Sequence, residues 1–346
     1  MQIFMNNFLV FLFSFLIVYS STPLMRKIAV DLKILDLPSR RKIHKRAMPL
    51  LGGLAIYLGF ILGLLFDLKG FYRYLPILIG ATLILIVGLV HDIKGLSAQF
   101  RLFCQLLAAL AVIGSGMRIS FLPAGLWGDA SEIILTLIWI VGVTNAFNYL
   151  DGMDGLAAGS AVVNLFCFAF ILYVSGQAAL GRVAILLAAG CLGFLPYNLK
   201  RAKIFLGDAG SMFLGFNLAG IALIGNWAQD NIVKISIPVL ILGVPIFDMI
   251  FTTIMRIREA KIKTMLEWLQ YGGKDHFHHY LVDLGMQPLG AVVFIYFVTL
   301  SLGISAVMVS NDRAFEAFLT LTQASIIFGI IAALIVVGRR HRSGWA

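Results

Sequence analysis

Long apolar stretches recur along the whole chain, and they constrain its fold more than any other feature. Eleven predominantly apolar runs of 16 to 22 residues occur, and each is long enough to cross the hydrocarbon core of a bilayer as a helix. They span residues 3–22, 49–67, 75–91, 101–117, 131–147, 158–176, 180–196, 211–226, 235–255, 289–310 and 318–338. With 13% charged residues and a mean hydropathy of +0.94, the pattern predicts an all-α polytopic integral membrane protein. We expect about eleven transmembrane helices in a single domain over residues 1–346.

The distribution of basic residues predicts an orientation. If the loop after the first run is cytoplasmic and the sides alternate, 21 lysines and arginines fall on the cytoplasmic side and 6 on the other. This asymmetry follows the positive-inside rule, with the N-terminus outside and the C-terminus in the cytoplasm. The first run lacks a basic n-region and a small-residue cleavage site, so we expect a retained span rather than a signal peptide. The net charge of +10 suits anionic headgroups and anionic substrates, and no nucleic acid is needed to explain it.

Several carboxylates lie on that same basic side, at or near helix ends. Asp92 in HDIKG, the pair in LDGMDG and Asp208 in FLGDAGS each stand beside glycine. Glycine allows a close backbone approach and open turns, which a phosphate or metal site requires. This grouping predicts an active-site cleft at the cytoplasmic face.

The stretch NAFNYLDGMDG places four polar side chains at intervals of three, at the end of the fifth run. They are Asn145, Asn148, Asp151 and Asp154. In an unbroken α-helix each step of three drifts by about 60°, so all four share one face only if the helix tightens or breaks. The adjacent Gly152 and Gly155 favour a break. Carboxylates interact unfavourably with the dipole at a helix C-terminus. This argues against the alternative that Asp151 and Asp154 are only solvent-exposed acids at the end of a helix.

Two further segments carry candidate ligands. Asp208 precedes the eighth run, where it is either a helix cap or a ligand of a hard cation such as Mg²⁺. The motif DHFHHYLVDLG lies in the long predicted cytoplasmic loop 256–288 and contains His276, His278 and His279. A zinc site and a solvated loop are alternatives, but no cysteine accompanies these histidines, so phosphate contact is favoured. The preceding basic and apolar residues are typical of an interfacial amphipathic helix.

A basic run, RRKIHKRAMPLLGG, leads into the second apolar run through Pro49 and two glycines. Such a run is either a topology determinant or an anion site. Lys42, His44, Lys45 and Arg46 are the candidates for anion binding.

Together these motifs resemble the polyprenyl-phosphate N-acetylhexosamine-1-phosphate transferases. NAFNYLDGMDGL resembles the family signature NxxNxxDGxDGL, and four other segments match in the same order within residues 36–285, namely RKIHKRAMPLLGGLA, FLGDAGS, PIFDMIF and DHFHHYLVDLG. The resemblance implies an enzyme that transfers a sugar-1-phosphate from a UDP-sugar to undecaprenyl phosphate, releases UMP and requires Mg²⁺, with Mn²⁺ as a substitute. It also implies the bacterial inner membrane, an active site facing the cytoplasm, and contact with membrane lipids; a homodimer stays open.

The resemblance implies roles for individual residues. Asp208 would ligate the metal together with Asp154, and Phe205 would stack on uracil. The catalytic carboxylates would be Asp92, Asp151, Asp154 and Asp208. The substrate-binding residues would be Lys42 or Lys45, Asn145, Asn148, Gly152, Asn198, Phe205, His276, His278 and His279.

One position departs from the family pattern, which usually has two adjacent aspartates where this chain has His91-Asp92. A phosphomonoester is largely dianionic at neutral pH, so the acceptor needs placement more than deprotonation. The histidine loop, DHFHHYLVDLG, resembles that of the enzymes that begin O-antigen, teichoic acid or capsule chains, which implies N-acetylglucosamine or a close N-acetylhexosamine as the sugar. Alternatives are a phospho-N-acetylmuramoyl-pentapeptide transferase, a nucleotide-sugar or lipid transporter, and an assembly scaffold with a degenerate site.

Overall fold

The computed structural model describes residues 2–38, 46–271, 273, 275–310 and 313–343. Within these ranges the chain forms fourteen helices and one pair of two-residue strands. The strands are β1 (Leu35–Asp36) and β2 (Met48–Pro49). The helices are α1 (Gln2–Asp31), α2 (Gly52–Leu64), α3 (Leu68–Lys94), α4 (Ala98–Gly114), α5 (Leu126–Leu150), α6 (Leu156–Val174), α7 (Ala178–Asn198), α8 (Gly207–Ile224), α9 (Asn231–Ile241), α10 (Gly243–Arg258), α11 (Met265–Gln270), α12 (Phe277–Asp283), α13 (Pro288–Val309) and α14 (Ala314–Ser343).

The helices are those of a polytopic membrane protein. Within the described ranges, eight helices are long and apolar enough to cross a bilayer, and a bent pair raises the number to nine. Two of the eleven predicted runs form shorter apolar helices, α2 with 13 residues and α4 with 17. At 1.5 Å per residue α2 is about 20 Å long, less than the ~30 Å of a hydrocarbon core. Helical character was therefore predictable from every run, whereas helix length was not.

The ninth run is broken rather than continuous. α9 and α10 meet at Leu242 with a bend of 77°. Pro238, Gly243 and Pro245 surround the break. Proline lacks the amide hydrogen that continues the helix ladder, and glycine tolerates the turn. The single span expected over 235–255 is therefore two helices that run in different directions.

Helix α8 is the most buried of the candidate spans and packs against α2, α3 and α5. Small residues permit these contacts: a Cβ on Gly53 would lie 2.2 Å from the Gly210 Cα, and one on Gly88 2.5 Å from the Ala209 Cα. Membrane helices associate closely where small residues let their backbones approach. The start of α8 is therefore fixed between α2 and α3.

The charged residues separate to the two ends of the bundle. At the starts of α3 and α5, Asp67 pairs with Arg182 at 2.6 Å, and Asp129 with Arg118 at 2.6 Å. Two of the motif carboxylates, Asp92 and Asp151, lie at the opposite ends of the same two helices. These ion-paired acids and the motif acids therefore occupy opposite ends of α3 and α5.

Candidate active site

Four helix ends converge at the motif end of the bundle. The last turn of α3 carries Asp92, and its carboxylate accepts hydrogen bonds from the backbone N–H of Asp208 at 3.0 Å and of Ala209 at 3.1 Å. Asp208 lies in the first turn of α8, because the helix begins at Gly207 rather than at residue 211 as the sequence suggested. The ends of α5 and α7 complete the group with Asp151 and Asn198.

The Asp208 carboxylate faces two basic side chains. Arg101, in the first turn of α4, donates to Asp208 Oδ2, and His91 Nε2 lies 3.5 Å from the same oxygen. His91 Nδ1 accepts the backbone N–H of Leu96 at 2.9 Å. Since Nδ1 is an acceptor, the ring proton of neutral His91 is on Nε2, the atom nearest Asp208. His91, where the family usually has a carboxylate, thus presents a donor to Asp208.

The turn between α5 and α6 presents Asp151 and Asp154. The helix ends at Leu150, and Gly155 adopts φ 78°, which confirms that glycine breaks the helix here. Asp154 Oδ2 accepts the backbone N–H of Ala202 at 2.9 Å, which ties the turn to the loop after α7. The Asp151 carboxylate has no hydrogen-bond partner within the ranges that the structure describes.

Burial raises the pKa of Asp151 well above its usual value, and the nearby carboxylates of Asp208, Asp92 and Asp154 raise it further. Burial is the larger of these two causes, and the negative charge of the neighbouring carboxylates is the smaller one. A cation bound beside Asp151 would offset the second cause.

Asn198 joins the turn to the loop that leads into α8. Its Oδ1 accepts the N–H of Gly155 at 2.9 Å, and its Nδ2 donates to the carbonyl of Ile204 at 3.0 Å. Tyr296 donates to the carbonyl of Gly155 at 2.6 Å. Asn198 is buried, so both ends of its amide serve the backbone around the site.

Asn145 and Asn148 are about 60° apart around α5, and their side chains contact different neighbouring helices. Asn145 Nδ2 donates to Gln105 of α4 at 2.7 Å, and Asn148 Nδ2 donates to the Ser211 hydroxyl of α8 at 2.9 Å. The two amides therefore hold α4 and α8 against the end of α5.

The histidine loop is held by a buried ionic network. Asp248 of α10 accepts the backbone N–H of Phe277 at 2.5 Å and lies 3.0 Å from His276 Nδ1. Arg256 forms a bidentate ion pair with Asp275, with N–O distances of 2.7 and 3.0 Å, and lies 3.2 Å from His276 Nε2. Burial raises the pKa of Asp275, but Arg256 outweighs this effect and holds the pKa below its usual range. These contacts fix the start of α12 beside the end of α5.

His278 connects the histidine loop to the DGMDG turn. It is fully buried, and both ring nitrogens lack hydrogen-bond partners within the described part of the chain. A Cβ on Gly152 would lie 2.2 Å from His278 Nε2, so only glycine fits beneath this ring. His279 is half-buried, and its ring centroid lies 4.2 Å from that of His278. The structure thus places His278 against the DGMDG turn, and His276 beside Tyr149 near the end of α5.

Burial, reinforced by the charge of His279, lowers the pKa of His278 to about 3. The unfolded chain takes up this proton near pH 6.5, so the free energy of unfolding should fall as pH drops from about 6.5 towards 3. The maximum slope is about 1.4 kcal/mol per pH unit, or ~2.7 kcal/mol between pH 6.5 and 4.5. We expect His278→Asn to lose less stability than the wild type over this interval, measured by denaturant unfolding in detergent. Equal losses in both proteins would contradict a buried neutral ring.

Phe205 precedes α8 and is tied to the segment before α2. Its N–H donates to the carbonyl of Pro49 at 2.8 Å, and its carbonyl accepts from Gly52 at 3.0 Å. The ring is half-buried, at the edge of the group of helix ends. Lys42 and Lys45, the predicted nucleotide contacts, lie outside the described residues, so their role stays a prediction.

The residues fit a magnesium ion better than a transition metal. No group of three or more histidine, cysteine, aspartate or glutamate side chains with metal-binding geometry occurs among the described residues. Mg²⁺ needs only one or two carboxylates, and takes its other ligands from water and substrate phosphates. Asp208 and the unpartnered Asp151 could supply those carboxylates.

Sequence reasoning missed the roles of two residues of α4. The sequence pattern identified Arg101 only as one of the basic residues of the cytoplasmic side and gave Gln105 no role. Both side chains face the site, towards Asp208 and Asn145. The sequence did contain a signal for this role: Arg101 and Gln105 are polar, and their spacing of one helical turn places them on the same face of an otherwise apolar helix.

An apolar cavity of about 530 Å³ lies along α5, α9 and α10. Its lining includes Gly142, one turn before Asn145, and Met249, next to Asp248. Arg118 and Lys234 lie at the end that is nearer the opposite face. The bend between α9 and α10 opens this space beside α5.

The fold and the site together define a polytopic helical membrane protein with a cluster of carboxylates, histidines and arginines at one end of the bundle. The profile of glycosyl transferase family 4 matches residues 74–226. A probable undecaprenyl-phosphate N-acetylglucosaminyl 1-phosphate transferase of Bacillus subtilis is 35% identical over 93% of this chain and 90% of its own. The decaprenyl-phosphate N-acetylglucosaminephosphotransferase of Mycobacterium tuberculosis (strain ATCC 25618 / H37Rv) is 30% identical over 94% and 87%. An undecaprenyl-phosphate alpha-N-acetylglucosaminyl 1-phosphate transferase of Yersinia pestis is 28% identical over 83% and 78%.

The chain therefore belongs to glycosyl transferase family 4, the family of sugar-1-phosphate transferases that its motifs resemble.

Proposed function

We propose that this protein transfers N-acetylglucosamine-1-phosphate from UDP-N-acetylglucosamine to undecaprenyl phosphate and releases UMP. The observation that carries the proposal is the joint site at the helix ends, where Asp208 and Asp151 lie near Arg101 and the histidine loop. Such a mixture of carboxylates and cationic groups suits a diphosphate bound with a divalent cation. The names of the relatives support the sugar and the lipid phosphate.

The reaction requires positioning and charge neutralisation more than covalent catalysis. An oxygen of the acceptor phosphate attacks the sugar-bearing phosphorus, and the bond from that phosphorus to the UMP oxygen breaks. Asp208, with Asp151 or Asp154, would hold Mg²⁺, which would supply charge neutralisation on the phosphates. Arg101 and His91 lie beside Asp208 and offer donors to phosphate oxygens. His276 and Arg256 face the same region from the histidine loop.

The apolar cavity along α5 offers a place for the isoprenoid chain of the acceptor. An isoprenoid tail carries no hydrogen-bonding groups, so it requires an apolar wall that ends near the phosphate site. The lining from Gly142 to Met249 meets this requirement, because it reaches within one helical turn of Asn145 and Asp248.

We further propose that the site faces the cytoplasm, from the bacterial inner membrane. UDP-sugars are charged, and the 21 basic residues assigned to that side follow the positive-inside rule.

The test is UMP release by the purified protein in detergent, with undecaprenyl phosphate and Mg²⁺. UDP-N-acetylglucosamine, UDP-N-acetylgalactosamine and UDP-N-acetylmuramoyl-pentapeptide are offered separately. We expect release with UDP-N-acetylglucosamine that depends on both the lipid phosphate and the metal. Release only with the pentapeptide donor would assign the protein to the muramoyl-pentapeptide branch. No release from any donor by a folded sample would contradict the proposed function.

A further inference from the structure

Asp92 makes an unusual contact for a residue predicted to act on substrate. Its two carboxylate oxygens each accept one backbone N–H from the first turn of α8, at 3.0 and 3.1 Å. Leu206, at the N-cap of α8, makes no side-chain cap hydrogen bond. The first amides of a helix need acceptors, and an aspartate is among the best. Asp92 therefore caps α8 from a different helix.

The surrounding backbone is built for this contact. Gly207 has φ 72°, and a Cβ there would lie 2.4 Å from Asp92 Oδ2. One turn earlier on α3, Gly88 packs directly on Ala209. The last two turns of α3 and the first turn of α8 thus touch through glycines, which lets the Asp92 carboxylate reach the amides.

The same arrangement occurs a second time in the described part of the protein. Asp248 of α10 accepts the N–H of Phe277, the first residue of α12, and also contacts His276. In both places a carboxylate on one helix fixes the first turn of another helix that carries functional side chains. For Asp92 that side chain is Asp208.

We propose that Asp92 is a positioning residue, which holds the start of α8 and so sets the place of the Asp208 carboxylate, in place of the catalytic role predicted from the sequence. The inference rests on the proposed function for its kinetic part. The acceptor phosphate is largely dianionic at neutral pH, so the reaction does not require Asp92 to remove a proton. Both oxygens of Asp92 are already engaged by the backbone.

The experiment compares full-length wild type with Asp92→Asn and Gly207→Ala. In Asp92→Asn the amide oxygen still accepts one N–H, but the amide nitrogen faces the second N–H and repels it. In Gly207→Ala the Asp92 carboxylate is intact, but the added methyl group displaces it from the helix start. Mn²⁺ binding is measured by electron paramagnetic resonance without substrates, and UMP release is measured against pH and Mg²⁺ concentration.

We expect both variants to bind Mn²⁺ about tenfold more weakly than wild type, as for loss of a group that orients a metal ligand. Both should require a higher Mg²⁺ concentration than wild type to reach half of their maximal rate. The pH at which the rate falls on the acidic side of the profile should be the same as in wild type. If Asp92→Asn binds Mn²⁺ like wild type, but loses its rate and the acidic limb, Asp92 is a base and the proposal is overturned.

Thermal unfolding reports whether each variant is folded. If Asp92→Asn does not fold, the proposal is tested with Gly207→Ala alone. The Mn²⁺ measurement needs no donor or acceptor. If the wild-type protein released no UMP, the proposed function would fail, while weaker Mn²⁺ binding by both variants would still support the positioning role.

Discussion

Replacing Asp208 by asparagine should reduce the rate of UMP release by about 10²-fold to 10³-fold. This is the range seen when one preorganised electrostatic group is lost. Asparagine keeps the shape of the side chain but not its charge. Arg101 then loses its ionic partner, and Mg²⁺ would lose the ligand that we propose for it. The rate should be measured at saturating donor and lipid phosphate, over a wide range of Mg²⁺ concentrations.

A second readout separates loss of metal binding from loss of folding. A ligand that binds only the native state stabilises it by about 2.7 kcal/mol at a concentration 100 times its dissociation constant. Mg²⁺ should therefore raise the unfolding temperature of the wild type but not of Asp208→Asn. Asp31→Asn, at an exposed carboxylate at the end of α1, is the matched control and should behave like wild type. A rate above one tenth of wild type in Asp208→Asn would contradict the role of Asp208.

Much of the fold could be predicted because the length and apolar composition of each run show, independently of the other runs, whether it can form a helix that crosses the bilayer. The carboxylates that stand beside glycines in the sequence also predicted which helix ends form the candidate site. Helix length was less predictable, since the residues before α2 form hydrogen bonds with the distant segment at Phe205 instead of continuing the helix. The break at Leu242 was visible as Pro238, Gly243 and Pro245, but proline inside a membrane helix does not always break it.

The details of the site depended on contacts between distant segments, which spacing in the sequence does not encode. The motifs predicted Asp92 and Asn198 as groups for the substrate, whereas the structure engages both side chains with backbone amides and carbonyls. Arg101 lies within the fourth apolar run, so it was counted only for topology. Its place beside Asp208 follows from the packing of α4 against α5 and from the position of α8.

The second large effect is expected at Arg256, which is buried and forms a bidentate ion pair with Asp275. Arg256→Gln removes the bidentate partner of the buried Asp275 carboxylate and leaves only Lys261 Nζ, 3.9 Å away, as a cation beside it. Loss of one partner of a buried ion pair typically destabilises a protein by about 3 to 5 kcal/mol. The substitution also removes the contact to His276 Nε2. We expect a lower unfolding temperature in detergent and a lower rate of UMP release. Arg258→Gln, two residues along α10 and exposed, should change neither.

The double variant Arg256→Met/Asp275→Leu distinguishes the stability of the ion pair from its function. Replacing both members of a buried pair by apolar side chains is often neutral or stabilising, because no charge is then left unpaired. The unfolding temperature should therefore recover towards wild type. The rate should stay low, because His276 still lacks the guanidinium that holds its ring between Asp248 and Arg256. Recovery of the rate together with the stability would show that the pair serves the fold alone. Recovery of stability without activity is the result expected if this ionic network positions the histidine loop against the DGMDG turn.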